Sequence, residues 1–156
     1  MKKFLLLFLL LSSSLSAQSF LGKVIYVYDG DTIKVLVNGA SVKIRLYGID
    51  APEHNQNYGN SAKIALFKLC HGKYVKVEMM DKDIKYNRIV AKVYLGNVCL
   101  NKLMLQEGLA WAYRYFLHGD DFIVYTKIEG VARYNKKGLW RDIYQTAPWN
   151  FRRKRK

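Results

Sequence analysis

The chain has 156 residues, 51% hydrophobic and 24% charged, the length and balance of one packed domain rather than a disordered segment. Its 26 Lys+Arg against 12 Asp+Glu give a net charge of +14, which points to a polyanionic partner: nucleic acid, an anionic membrane or an acidic glycan. Two cysteines at this spacing do not make a zinc site, and Cys70 and Cys99 are either one disulfide of an oxidising compartment or two buried thiols.

The elements follow in chain order. Met1 to Lys3 is a positive start, Phe4 to Leu11 an unbroken apolar run, and Ser12 to Ala17 small and mostly polar. This is the pattern of an export signal over 1–17, cleaved near Ala17; the run is short of the ~20 apolar residues of a membrane span, the alternative being an uncleaved anchor. Cleavage removes two lysines and no acid, lowering the net charge from +14 to +12. Strands are predicted over Val24 to Tyr28, Thr32 to Val37 and Val42 to Ile49, joined at the turn signals Asp29-Gly30 and Asn38-Gly39. In the third, Val42, Ile44 and Leu46 face one way and Lys43, Arg45 and Tyr47 the other. Asp50 to Gly59 reads as a loop, then Asn60 or Ser61 caps a helix to about Leu69. Tyr74 to Met79 and Ile89 to Leu95 are further strands around a polar connection, Asp81 to Asn87. Asn101 caps a short helix stopping before Gly108, and a long helix runs from Asp121 to Lys136, with Gly138 as its C′ residue. Five short strands with one helix after the third match an α+β fold built on a five-stranded OB-type barrel. The body of the domain is 18–144, and 145–156 is a basic C-terminal tail whose last five residues are all Lys or Arg.

The chemistry lies in scarce acids. Asp29-Gly30-Asp31-Thr32 straddles the first turn and Asp50-Ala51-Pro52-Glu53 follows the third strand. If those strands pair, Asp31 and Asp50 meet at one sheet edge and share a hard cation such as Ca²⁺, which prefers oxygen ligands. Arg45, on the polar face of the third strand, and Arg88, opening the fifth, have forks that grip phosphate oxygens. Glu53 is placed to act as general base for a water. Each piece alone has an ordinary reading: a turn, an exposed loop, a solvated arginine.

Together they resemble the staphylococcal nuclease family. The resemblance runs from Gly22 to Trp140: Asp-Gly-Asp-Thr at 29–32, Arg45-Leu46, Asp50-Ala51-Pro52-Glu53, Lys85-Tyr86-Asn87-Arg88, Asn101 with Gly108-Leu109-Ala110, and Gly138-Leu139-Trp140. It implies an OB-fold barrel with three helices and one Ca²⁺, held by Asp31, Asp50 and the backbone carbonyl of Ala51. It implies that Glu53 positions or deprotonates the attacking water and that Arg45 and Arg88 bind the scissile phosphate. Lys85 would meet a terminal phosphate, and Tyr86, Tyr113 and Tyr115 would flank the nucleotide, where aromatic faces stack on bases at ~1–3 kcal/mol each. Asp29 would lie near the metal. Departures are Ala51 in place of threonine, Asn87 in place of glycine and Ile84 in place of an acid. The expectation is a secreted or periplasmic bacterial enzyme, monomeric and without a stable protein partner, that hydrolyses DNA and RNA and leaves 3′-phosphates. The basic residues Arg152 to Lys156 would add nonspecific phosphate contacts that salt weakens. The competing readings are a noncatalytic nucleic-acid-binding module on the same barrel and a basic protein adhering to membranes or glycans.

Overall fold

A computed structural model describes residues 18–154. The export signal expected over 1–17 lies outside the described residues. Five strands form the frame: β1 (Ser19–Val27), β2 (Thr32–Val37), β3 (Ala40–Leu46), then β5 (Tyr74–Asp83) and β6 (Arg88–Leu95). Neighbours pair antiparallel in the order β3-β2-β1-β5-β6, and a parallel β3–β6 pairing closes the sheet on itself. Closure removes both edges, and the alternate residues turn inward. Val24, Ile33, Val35, Ile44, Val75, Val77 and Val93 are fully buried inside the barrel, which is why β-branched residues dominate these strands. The fold is therefore the predicted α+β OB-type barrel.

Between β3 and β5 come the two-residue strand β4 (Ile49–Asp50) and helix α1 (Gly59–Cys70). After β6, a short β7 (Val98–Cys99) leads into α2 (Leu100–Gln106), β8 (Trp111–Ala112) and α3 (Gly119–Tyr134). Two-residue strands are too short for periodicity to reveal, and β4 pairs with β8 to make a separate two-stranded ribbon, Asp50 opposite Trp111. A fourth helix, α4 (Pro148–Arg153), lies in the stretch expected to be a tail.

Several local expectations change. The first strand begins at Ser19, because Ser19 to Lys23 pair with β5. Ile25 and Tyr26 are both exposed, since a bulge after Val24 breaks the alternation. Asp81 to Asp83 continue β5 instead of forming a polar connection. No side chain caps α1; Tyr58 precedes it in the left-handed region at φ 66°. Asn101 is not a cap but a buried residue inside α2. Its amide donates to the carbonyls of Tyr47 and Ala91 at 2.9 and 3.0 Å and its Oδ1 accepts from the Val93 N–H at 2.9 Å, clipping α2 to the β3–β6 seam. The long helix ends at Tyr134, and Gly138 opens a separate 3₁₀ turn over Gly138–Arg141. Cys70 and Cys99 are free thiols, and burial pushes the Cys70 thiol up to about 12.

Candidate active site

The site is assembled where the ends of β2, β3 and β4 meet. Asp31 precedes β2, and its backbone N–H donates to Asp29 Oδ1 at 3.0 Å. Gly30 serves packing as much as turning. A Cβ there would stand 2.6 Å from the Ala62 Cβ and 2.7 Å from the Ala51 Cβ, so only glycine lets this corner seat against α1 and the Asp50 loop. The Asp31 carboxylate accepts from Thr32 Oγ1 at 2.9 Å and from the Ala51 N–H at 2.6 Å, which ties the first acidic group to the second.

Arg45 lies directly opposite Thr32 in the β2–β3 ladder. Its Nη1 contacts Asp31 Oδ1 and its Nη2 donates to Asp50 Oδ1 at 2.8 Å. One guanidinium thus spans both carboxylates, which are 7% and 1% exposed. Asp50 is held from behind: β4 pairs with β8, and the buried Glu129 of α3 accepts from the Ala112 N–H at 3.1 Å and from Arg114 at 2.5 Å.

Glu53 sits three residues on, in a loop closed by Gln56: the Glu53 N–H donates to Gln56 Oε1 at 3.1 Å and the Gln56 N–H to the Glu53 carbonyl at 2.9 Å. Gly59 is required here, since a Cβ would fall 1.8 Å from the Glu53 carbonyl oxygen. Glu53 and Asp50 share a partner from the stretch expected to be a basic tail. Arg152, on α4, donates from Nη1 to Glu53 Oε1 at 2.7 Å and to Asp50 Oδ1 at 3.2 Å, and from Nη2 to Asp50 Oδ2 at 2.8 Å. The basic run that reads as a solvated tail therefore places one arginine, 102 residues from Asp50, at the centre of the site.

The carboxylates respond to this field. Burial pushes Asp31 up, but the Arg45 charge and the hydrogen bonds it accepts outweigh burial and hold it below the usual carboxylate value. Burial and the adjacent Asp31 charge push Asp29 up to about 7. Burial also raises Asp50, against the pull of Arg152 and Arg45. Among the described residues no three His, Cys, Asp or Glu side chains converge as a ready-made metal cluster. The donor set at Asp31 and Asp50 is nonetheless all oxygen, and two carboxylates close enough to share one guanidinium fit a hard dication completed by carbonyl and water oxygens.

The other expected residues are spread around this centre. Arg88 opens β6, and since Arg45 pairs with Val90 in the parallel β3–β6 ladder, Arg88 lies on the same sheet face as Arg45. Its guanidinium is engaged across the hairpin by Asp83, with Nε and Nη2 each 2.9 Å from Oδ2. Asp83, an acid opposite Arg88 in the β5–β6 ladder, is a positioning partner that the sequence reading passed over. Asn87 adopts φ 46°, the left-handed turn for which it substitutes well for glycine, and Ile84 is exposed in the preceding 3₁₀ turn. Tyr86 is 56% exposed, with the Lys85 ammonium 5.3 Å and the Arg88 guanidinium 4.8 Å from its ring centre. Tyr115 is exposed, its ring 5.5 Å from Phe116. Tyr113 is not an open face: Trp149 of α4 lies parallel to it, centroids 5.4 Å apart. Trp111 and Trp140 are buried against each other, as expected for core, and His54, His71 and His118 are exposed.

A sequence profile described as "Staphylococcal nuclease homologue" matches residues 43–142, more than half of the chain. The chain belongs to the staphylococcal nuclease family. It is 39% identical over 145 residues to a protein named micrococcal nuclease from Shigella flexneri, covering 86% of this chain and 81% of that one. It is 36% identical over 135 residues to an uncharacterized endonuclease of Escherichia coli, covering 86% of each. A similarly named protein of Haemophilus influenzae is 35% identical over 153 residues, 97% of this chain and 84% of its own length. Within this staphylococcal nuclease homologue the matched segment begins just before Arg45 and takes in Asp50, Glu53 and Arg88, whereas Asp31 and Arg152 lie beyond its two ends and are brought in by the fold.

Proposed function

We propose that this protein is a calcium-dependent nuclease that hydrolyses phosphodiester bonds of DNA and RNA. One observation carries the reading. Asp31 and Asp50, remote in sequence, converge on the guanidinium of Arg45 within reach of Glu53's shared partner Arg152. A barrel does not need a nearly buried arginine bridging two buried acids for its stability, and such groups cluster where charge must be managed during a reaction.

Asp31 and Asp50 would hold the Ca²⁺, with the Ala51 carbonyl beside them. Bound there, Ca²⁺ would supply positive charge to the phosphate oxygens as negative charge develops. Arg45 is fixed between the acids and presents a guanidinium that needs no reorganisation when a phosphate arrives. Arg88, braced by Asp83, offers a second from the same sheet face. Glu53, 36% exposed at its side chain, takes the proton from the water that attacks phosphorus. The leaving oxygen on the 5′ side departs, leaving a 3′-phosphate. Tyr86, Tyr115 and Lys85 are exposed and free to meet bases and a terminal phosphate. The leader-like residues 1–17 support export to the periplasm or the medium, and among the described residues no helix is long and apolar enough to cross a membrane.

The test is digestion of plasmid DNA and of RNA by purified protein with CaCl₂ or with EGTA, followed by end-group analysis. Expected are cleavage of both polymers in calcium, 3′-phosphate ends, and no cleavage in EGTA. Glu53→Gln should lower turnover by about 10²–10⁴ while leaving oligonucleotide binding intact. Unchanged turnover would remove Glu53 from the mechanism.

A further inference from the structure

Arg152 is anchored too well to be a stray tail contact. Ala147 and Pro148 are buried at the start of α4. Trp149 meets Trp111 edge-on at 5.7 Å and stacks on Tyr113, and the Gln56 amide, from the Glu53 loop, donates to the Thr146 carbonyl. The apolar anchor fixes the helix beside the site and leaves the arginine to reach inward. Selection among the basic residues is sharp: Arg153, next along the same helix, turns to Asn150 at 2.6 Å instead.

The Asp50 carboxylate is nearly saturated by this arrangement. Oδ1 accepts from Arg45 and Arg152, and Oδ2 accepts from Arg152. An ionised carboxylate has about four lone-pair directions, so three are taken and a cation reaching the remaining one meets guanidinium donors on both oxygens. A dication and a guanidinium on the same oxygens also repel. Arg45 is 12% exposed and locked into the β2–β3 ladder, so its release would strand a buried charge. Arg152 is 41% exposed on the last helix and can return to water by rotating its side chain.

We propose that Arg152 is a counter-cation of the site, a positioning residue that occupies the oxygens of Asp50 and Glu53 until a divalent cation displaces it. This rests on the assignment of Asp31 and Asp50 as cation ligands. Without metal, Arg152 keeps the acids neutralised and the Glu53 oxygen occupied. Cation binding and release of the general base are then one event, so Glu53 is freed only when the metal is in place. The C-terminal helix thereby sets the cation affinity of a site built by the barrel.

Calorimetric titration of CaCl₂ into the full chain, Arg152→Gln and Arg153→Gln tests this without reference to activity. Arg152→Gln should bind Ca²⁺ about tenfold more tightly, the scale of one part-exposed ion pair. Arg153→Gln removes the same charge without the contact and should stay within about twofold, since long-range charge is screened. In the wild-type chain, the Arg152 side-chain ¹⁵N–¹H resonance, assigned with Arg152→Lys, should move on addition of CaCl₂; this reads the displacement even if the glutamine variant folds poorly. Wild-type binding with equal or weaker affinity in a folded Arg152→Gln, or with the Arg152 resonance unmoved, overturns the inference and leaves the nuclease reading standing. Absence of Ca²⁺ binding in every variant overturns both.

Discussion

Replacing Asn101 by aspartate separates two roles that its position allows. At a helix N-cap aspartate serves as well as asparagine, and the exchange costs at most a few tenths of a kcal/mol, roughly nothing on the scale of a domain. The structure assigns a different job. Asn101 is fully buried, and its Nδ2 satisfies the Tyr47 and Ala91 carbonyls while its Oδ1 satisfies the Val93 N–H. Aspartate keeps the acceptor and loses both donors. The Tyr47 carbonyl loses its donor at a cost of ~1–3 kcal/mol, the Ala91 carbonyl keeps only the Tyr47 N–H at 2.8 Å, and the new carboxylate faces both with like partial charge. The expected loss is therefore about 2–4 kcal/mol, out of a total of roughly 5–15 for a domain. In melting temperature that is on the order of 10 °C. Urea unfolding of wild type and Asn101→Asp, followed by tryptophan fluorescence with the slopes compared, measures it. The damage should extend to the site, because the Tyr47 N–H bonds the same Ala91 carbonyl at the point where β3 turns toward Asp50. A loss below about 1 kcal/mol would refute the clip and restore the cap.

Two further outcomes follow from the geometry. Arg45→Lys retains the charge but not the fork, so one ammonium cannot replace the paired contacts to Asp31 and Asp50; activity should fall by about 10²-fold or more with the circular dichroism unchanged, and near-wild-type activity would show that bridging is dispensable. Cys70 is buried with its thiol held up at about 12, so at pH 8 almost none is thiolate; a thiol reagent should leave it unmodified in the native protein and titrate it after unfolding, and rapid native reaction at Cys70 would contradict its burial on the inner face of α1 at the helix's last residue.

The barrel was legible because its strands carry a two-residue period. Val42, Ile44 and Leu46 turn inward and Lys43 and Arg45 outward, and the order of strands and helix then restricts the topology. The acid groups at 29–31 and 50–53 were legible for the same reason, since the ladder that sets Thr32 opposite Arg45 brings them together. What the sequence hid depends on long-range packing. The β4–β8 ribbon spans two residues on each side and has no period to read. Asn101 looks like a cap because an asparagine near a helix start is a local signal, whereas its partners at Tyr47, Ala91 and Val93 belong to other elements. Arg152 sits in a run of basic residues that composition alone assigns to solvent; the available clue was Trp149 with Pro148, an apolar anchor and a helix-starting residue just before the run.

The most direct measurement is the rate of cleavage of a fluorogenic single-stranded oligonucleotide across a CaCl₂ titration, for wild type and Asp50→Asn. The account predicts saturable calcium activation in wild type, abolished by EGTA, and a rate at least about 10²-fold lower in Asp50→Asn at every calcium concentration. Cleavage that persists in EGTA and is indifferent to Asp50→Asn would contradict it.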